Sequence, residues 1–429
     1  MENQSVVNPR PFLLQPSSYQ VWVQALARAL YQAGYGSIQF FMPLIFVNQL
    51  GFSATVVGLS VGSGSLAGVL GHLLGGYLAD SPKYGRKRTL LFSAGLSIPP
   101  AILIAVIPNL SMLIVANLMM GLSAGCYWTA ADATVIDVTP QEQRSQAFAV
   151  LILADSLGIG LGIFGGETFL SQSLQPQLLF LIGGVILLIF LLLIQIAIAD
   201  TEQNTPEHSD TLQGFVLALK DRSLQFFMLI HVLVVTYIAL ISSTLPLYFT
   251  NFVSTSMPQS SLVNVANLFT WCYIGIGAVL QLPLVQILTT LSKVRVLMIS
   301  MFLWSGGFFL VWATHLIPSS PIIGMIAAFI VLSIATVMYK PFVPAIIAEL
   351  APESLRGVYL AIGYQCWSIG YFVGPILGGW AMDKSPTIAH SLWIVTAIST
   401  LFGLLMLRIL KQHQGKHLAS STVTQAAMN

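Results

Sequence analysis

Long apolar runs alternate with short polar breaks along the whole chain, and the spacing of the breaks predicts its architecture. Twelve runs rich in Leu, Ile, Val, Phe and Ala lie near 20–47, 54–79, 89–107, 111–136, 146–170, 177–199, 223–250, 261–289, 294–314, 321–345, 357–381 and 388–409. Each is about as long as the roughly 20 residues a helix needs to cross a bilayer. Residues 200–222 break the pattern with a polar linker, in which Leu212 to Leu219 reads as a short amphipathic helix at a membrane surface. The expected organisation is a six-helix half over 1–199, the linker 200–222, a second six-helix half over 223–411, and a polar tail over 412–429.

Polar residues inside the runs are few and patterned. In the first run Gln24, Arg28, Tyr31, Tyr35 and Gln39 recur at three- and four-residue steps and so share one helical face, which in lipid must face protein or water. The second run is dense in glycine, a composition that lets a neighbouring backbone approach closely.

Composition agrees with a membrane chain: 56% of the 429 residues are hydrophobic and 7% charged, against roughly a quarter charged in soluble domains. Of the seventeen lysines and arginines, Arg28 and Lys340 fall within runs and Lys384 lies on one side. The other fourteen sit in tails and loops on the opposite side, predicting that this side, with both termini, is cytoplasmic and the bilayer the cell membrane. The first twenty residues are polar and contain proline, so no cleaved leader is expected. Cations spread over many loops give no nucleic-acid face. The three cysteines lie one per run, with the spacing of neither a metal site nor a disulfide framework, and no cofactor is expected.

The second half repeats the first. A shift of 203 residues carries Pro43, Leu44, Phe46 and Asn48 onto Pro246, Leu247, Phe249 and Asn251. A shift of 212 carries Tyr127, Asp137, Pro140, Arg144, Gly158, Gly162 and Gly166 onto Tyr339, Glu349, Pro352, Arg356, Gly370, Gly374 and Gly378 without a gap. The expected fold is therefore an all-α polytopic membrane protein, two six-helix halves related by a pseudo-twofold axis along the membrane normal.

Between the second and third runs stands GGYLADSPKYGRKR, with Gly76, Asp80, Gly85, Arg86 and Lys87 around a turn. It resembles the signature loop of the major facilitator superfamily of transporters, roughly G-x-L-A-D-R-x-G-R-R, although four residues rather than two separate Asp80 from Gly85. The resemblance implies the facilitator fold and a gating role for this loop, with Arg86 or a neighbour paired to Asp137. It extends to the loops after the fourth and tenth runs, Asp137 with Arg144 and Glu349 with Arg356. The run GYFVGPILGG, with Gly370, Gly374, Pro375 and Gly378, is similar to the glycine–proline motif of proton-coupled exporters. That motif belongs on the fifth span, where this chain has Ile163 in place of proline, beside the packing stripe Gly158, Gly162 and Gly166. Many proton-coupled members also carry an arginine where Asn117 precedes Gly121 here.

Charges inside spans are costly and mark function. At 1.5 Å of rise per residue, Asp155 lies about 16 Å past Arg144 and Lys340 about 13 Å short of Glu349, whereas Asp132, five residues before Asp137, is near the interface. His231 is the repeat partner of Arg28. Asp155 is the candidate proton carrier, with a permanent salt bridge to Arg28 or Lys340 as the competing reading. His231 is a second proton candidate, with a packing histidine as its alternative. Arg28, Asp132 and Lys340, with the aromatics Tyr31, Tyr35, Trp128, Tyr237, Tyr364 and Trp367, are candidate substrate contacts for an amphipathic organic molecule.

The resulting expectation is a monomeric secondary transporter in the lipid bilayer, most like the drug:proton antiporter branch and exporting a small molecule in exchange for protons. The alternative is uptake or facilitated diffusion of an organic anion held by Arg28 and Lys340. A sensor or a lipid scramblase is more remote. No nucleophile–base pair, helix-borne metal motif or phosphate-binding glycine loop points to an enzyme or an ATP-driven pump.

Overall fold

The computed structural model describes residues 19–428 except 141–142, 173–174, 200–210, 254–260, 289, 318–320 and 353–354. Helices run up and down the molecule with short turns between them. Eleven of them are long and apolar enough to cross a membrane. The first span, 19–48, is the twelfth; it is long enough, and its polar stripe is what keeps it out of that set. The linker helix is present at Thr211–Lys220, and the last helix continues from the bilayer segment into the tail, Pro386–Met428.

Local chemistry sets the ends. Asn109 caps the fourth span (Leu110–Val138) by accepting from the Met112 amide at 2.9 Å, and Asp221 caps the seventh (Arg222–Val253) through the Ser223 amide. The tenth span stops at Tyr339 and restarts at Phe342 because Pro341 has no amide hydrogen to donate, which leaves Lys340 on a bend. A π-turn over Gln32–Gly36 resets the face of the first span between Arg28 and Pro43.

Two glycine stripes bring helices together within each half. A Cβ at Gly158 or Gly162 on the fifth span would strike the backbone of Ala29 or Ala33 on the first; one at Gly370 or Gly374 on the eleventh (Arg356–Met382) would strike Val235 or Ala239 on the seventh. Gly166 and Gly378 continue the stripes against Phe41 and Thr244.

The halves meet mainly at one end, opposite the cationic loops. There the first turns of the second span (Ala54–Asp80) lie on the last turns of the eleventh, so that a Cβ at Gly58 would strike the Pro375 carbonyl and one at Gly379 the Ala54 backbone. Asp383, just past the eleventh span, accepts from the Ala54 and Thr55 amides at 2.8 and 2.7 Å and from the Ser53 and Thr55 hydroxyls. Partial burial pushes its carboxyl up, but these hydrogen bonds outweigh it and hold the group below the usual carboxylate range. Asn48 accepts from its own repeat partner, Asn251, at 2.9 Å. The fifth and eighth spans form the other seam, through Phe164 on Trp271 and Glu167 on Asn267.

Candidate functional site

Below the closed end, three helices converge on one guanidinium. Arg28 of the first span donates from Nε and Nη2 to the two oxygens of Asp155 (fifth span) at 3.0 and 2.8 Å, and from Nη1 to Asp132 (fourth span) at 2.9 Å. Its Cζ lies 4.5 Å from the centre of the Trp128 ring. Asp155 and Asp132 keep part of their side-chain surface open while Arg28 is 7% exposed. The cation is thus walled in, whereas the two acids are part-exposed. Three charge-assisted bonds with fork geometry hold it there, in a setting where an unpaired charge would be costly.

Asp132 is not interfacial, as its five-residue distance from Asp137 suggested: its helix continues to Val138 and its carboxylate points inward to Arg28. Tyr364, on the eleventh span, stands near the same acid. Asp155 takes the salt-bridge arrangement with Arg28, leaving the Lys340 ammonium without an ion pair or hydrogen bond among the described residues. Lys340 is exposed, its Nζ 5.8 Å from the centre of the Trp367 ring.

The remaining candidates divide. Tyr31 and Tyr35 stack at 5.1 Å, and Tyr31 also packs on Tyr127, Trp128 and Phe190; Tyr31 is fully buried and forms a wall behind the cluster. Tyr364 is half exposed and sits 6.3 Å from the His72 ring, whose Nδ1 contacts Thr129. Tyr237 is not brought to the cavity: it is buried against Trp304 and Phe308, and its hydroxyl bonds Ser399 of the last span at 2.6 Å. His231 is likewise sealed, 2% exposed, with Nδ1 3.0 Å from the Tyr339 hydroxyl. That is the surroundings of a packing histidine.

At the cationic end Arg86 spans Asp80 at 2.5 Å and Asp137 at 3.1 Å, tying the second, third and fourth spans. The turn leading to it closes at Gly85 with φ of +73°, a conformation that favours glycine.

The sequence model of the Major Facilitator Superfamily matches residues 25–266 and 227–426, nearly the whole chain. The chain belongs to the major facilitator superfamily. Its similarity to individual members is distant. It is 25% identical over 339 residues to the uncharacterized MFS-type transporter YttB of Bacillus subtilis, covering 78% of this chain and 81% of that one. It is 24% identical to a Na(+), Li(+), K(+)/H(+) antiporter of Planococcus maritimus, covering 78% and 83%. It is 27% identical to the multidrug resistance protein MdtH of Photorhabdus laumondii, covering 84% and 88%. Among solved structures, the nucleoside transporter NupG superposes with a TM-score of 0.76 at 14% identity, over 92% of this chain and 99% of that one. The protein is therefore a multi-pass membrane transporter with the facilitator fold.

In this facilitator the signature loop has a partner in the second half. Lys293, opening the ninth span, is ion-paired with Glu349, the repeat of Asp137. Arg144 reaches the carbonyls of Thr139 and Ile136 at 3.4 Å, steadying the end of the fourth span. Lys87 is half-buried and makes no ion pair among the described residues, and Gly76 lies against the Thr129 methyl. The Arg356 side chain lies outside the described residues. In the sequence Lys293, with Arg295, stands out only as a degenerate second copy of the basic loop that lacks its acid, and Glu167 and Asp383 carry no signal there.

Proposed function

We propose that this transporter exports an amphipathic organic small molecule in exchange for protons, the two halves rocking so that the cavity opens to one side at a time. The cationic end, with both termini, faces the cytoplasm of a cell-membrane protein, so the arrangement here is open inward. One copy forms the whole pathway. The observation that carries the reading is Arg28 shared between two acids that face the cavity. When Asp155 takes a proton, the guanidinium loses half its ionic partners and the charge of the wall changes by one. A substrate that displaces that proton restores the pairing, which makes the two events exclusive. Similarity to MdtH and to a cation/proton antiporter supports the direction of this reading. Asp155 is the proposed proton site, Trp128, Asp132, Tyr364 and Trp367 the proposed substrate contacts, and Asp80, Arg86 and Asp137 the proposed gate.

Asp155→Asn is expected to abolish pH-gradient-driven uptake into inverted vesicles while leaving substrate binding measurable. Gradient dependence equal to wild type would reject the assignment.

A second reading draws on Lys340, an exposed cation with no acid of its own. Uptake of an organic anion would use it as the anion's seat. In the same vesicles Lys340→Gln then removes binding of anionic candidates and leaves cationic ones unaffected; under the export reading the anions never bind.

A further inference from the structure

Glu167 is a buried acid that the cluster around Arg28 does not use. It stands on the fifth span four residues before its end at Ser171, on the seam with the eighth span, and is 6% exposed. Its Oε1 accepts from Asn267 Nδ2 at 2.6 Å, and its Oε2 is buried with no hydrogen-bond partner. Among the described residues, the helices packed on the fifth span bring no balancing cation to it. The upper first span (Ser37–Asn48) and the sixth span (Leu178–Ala197) carry no titratable side chain, and the eighth offers only Cys272 and Tyr273. Arg28, Tyr31, Cys126, Tyr127, Asp132 and Asp137 belong to the half of the bundle nearer the cationic loops, and Tyr35, near the middle of the first span, stacks on Tyr31 and carries no positive charge.

An ionised carboxylate with one oxygen sealed from water and every other donor is costly, far more so than the neutral acid. The seam is in van der Waals contact: a Cβ on Gly160 would lie 3.4 Å from Ile274, and the Phe164 and Trp271 rings meet edge-on with centres 6.1 Å apart. On the alternating-access reading above, this seam is the one that must part for the cavity to open at the far end. Parting it admits water to Glu167.

We propose that Glu167 is a second proton-binding site, filled while the outer seam is shut and emptied when it opens. The proton enters and leaves from the same side, so the site carries no net charge across the membrane. Its effect is to make closure of the outer end depend on the proton concentration outside, with acid favouring the closed seam. Asp383 on the other seam has the opposite sign, since its bonds to the second span need the ionised form.

The test is an infrared titration of the full-length protein in lipid nanodiscs, reading the C=O stretch of protonated carboxyls with no substrate present. Wild type is expected to show this band at neutral pH, Glu167→Gln to lose a component that Asp155→Asn retains, and Glu167→Asp to move the frequency of that component. Joining Asn48→Cys to Asn251→Cys, in a background without the native cysteines, holds the outer end shut and should preserve the band into alkaline pH. A band of wild-type size in Glu167→Gln, a Glu167→Asp band at the wild-type frequency, or a band indifferent to the cross-link would overturn the proposal. Flux plays no part in this measurement, so loss of gradient-driven transport and loss of the band are separate outcomes.

Discussion

The repeat lets the two halves be compared residue for residue at the cavity. Arg28, Trp128 and Asp155 in the first half fall on His231, Lys340 and Trp367 in the second under the two shifts. Both halves set a cation over an indole, Arg28 on Trp128 and Lys340 on Trp367, but with the elements exchanged. In the first half the cation comes from the opening helix and is bound to two acids. In the second that helix offers a sealed histidine, and the cation comes from a proline bend with no acid ion-paired to it among the described residues. Duplication thus supplied one scaffold, and divergence left the paired charges on one side and a lone ammonium on the other.

Breaking the comparison is easiest at its strongest point. Arg28→Met leaves Asp132 and Asp155 facing each other without their shared cation. Truncating one member of a buried ion cluster costs on the order of 3–5 kcal/mol, so a large drop in thermal stability in detergent is expected at neutral pH, together with loss of gradient-driven transport. Acid should restore part of the stability, since protonation relieves the acids. A variant as stable as wild type would mean the cluster is solvated and the contrast between the halves is lost.

The equivalent change on the other side should do much less. His231→Phe keeps the ring packing and strands the Tyr339 hydroxyl, a loss of about 1–3 kcal/mol for an unmade buried hydrogen bond. The pH profile of transport is expected to be that of wild type. A shifted profile would put a proton group in each half and erase the asymmetry.

The smallest effect belongs to the outer seam. Asp383→Ala removes four hydrogen bonds to the start of the second span, so Thr244→Cys, now 3% exposed, should label several-fold faster with a membrane-impermeant thiol reagent. Because the Asp383 carboxyl is held below its ordinary range, its contribution to closure is complete above that range and fades as pH falls through the lowered value. In Asp383→Ala this acid-induced rise in labelling should vanish; if it persists, another group sets it.

Much of this was legible in the chain because a bilayer leaves few ways to satisfy a backbone or a charge. The apolar runs, the linker helix and the halves followed from hydropathy and the repeat, and Arg86 with Asp137 followed from the signature loop. Arg28 and Asp155 stood out as charges where charges are expensive, but their pairing did not, since Lys340 was an equal partner by depth. Asp132 was misjudged because residue count from a helix end measures height and says nothing of the direction the carboxylate takes. Asp383 and Glu167 were invisible for a different reason. Each sits where an acid looks interfacial, and their partners, backbone amides at Ala54 and Thr55 and the amide of Asn267, carry no sequence mark.

The contact between Asn48 and Asn251 joins two copies of one ancestral position. A residue that touches its own duplicate stands on the axis relating them, and an amide both gives and takes, so neither copy had to change for the bond to form. Two separate six-helix chains, associating as equals, would make the same contact. The Asp383 clasp, which needs an acid on one side and a helix start on the other, has no such history to draw on.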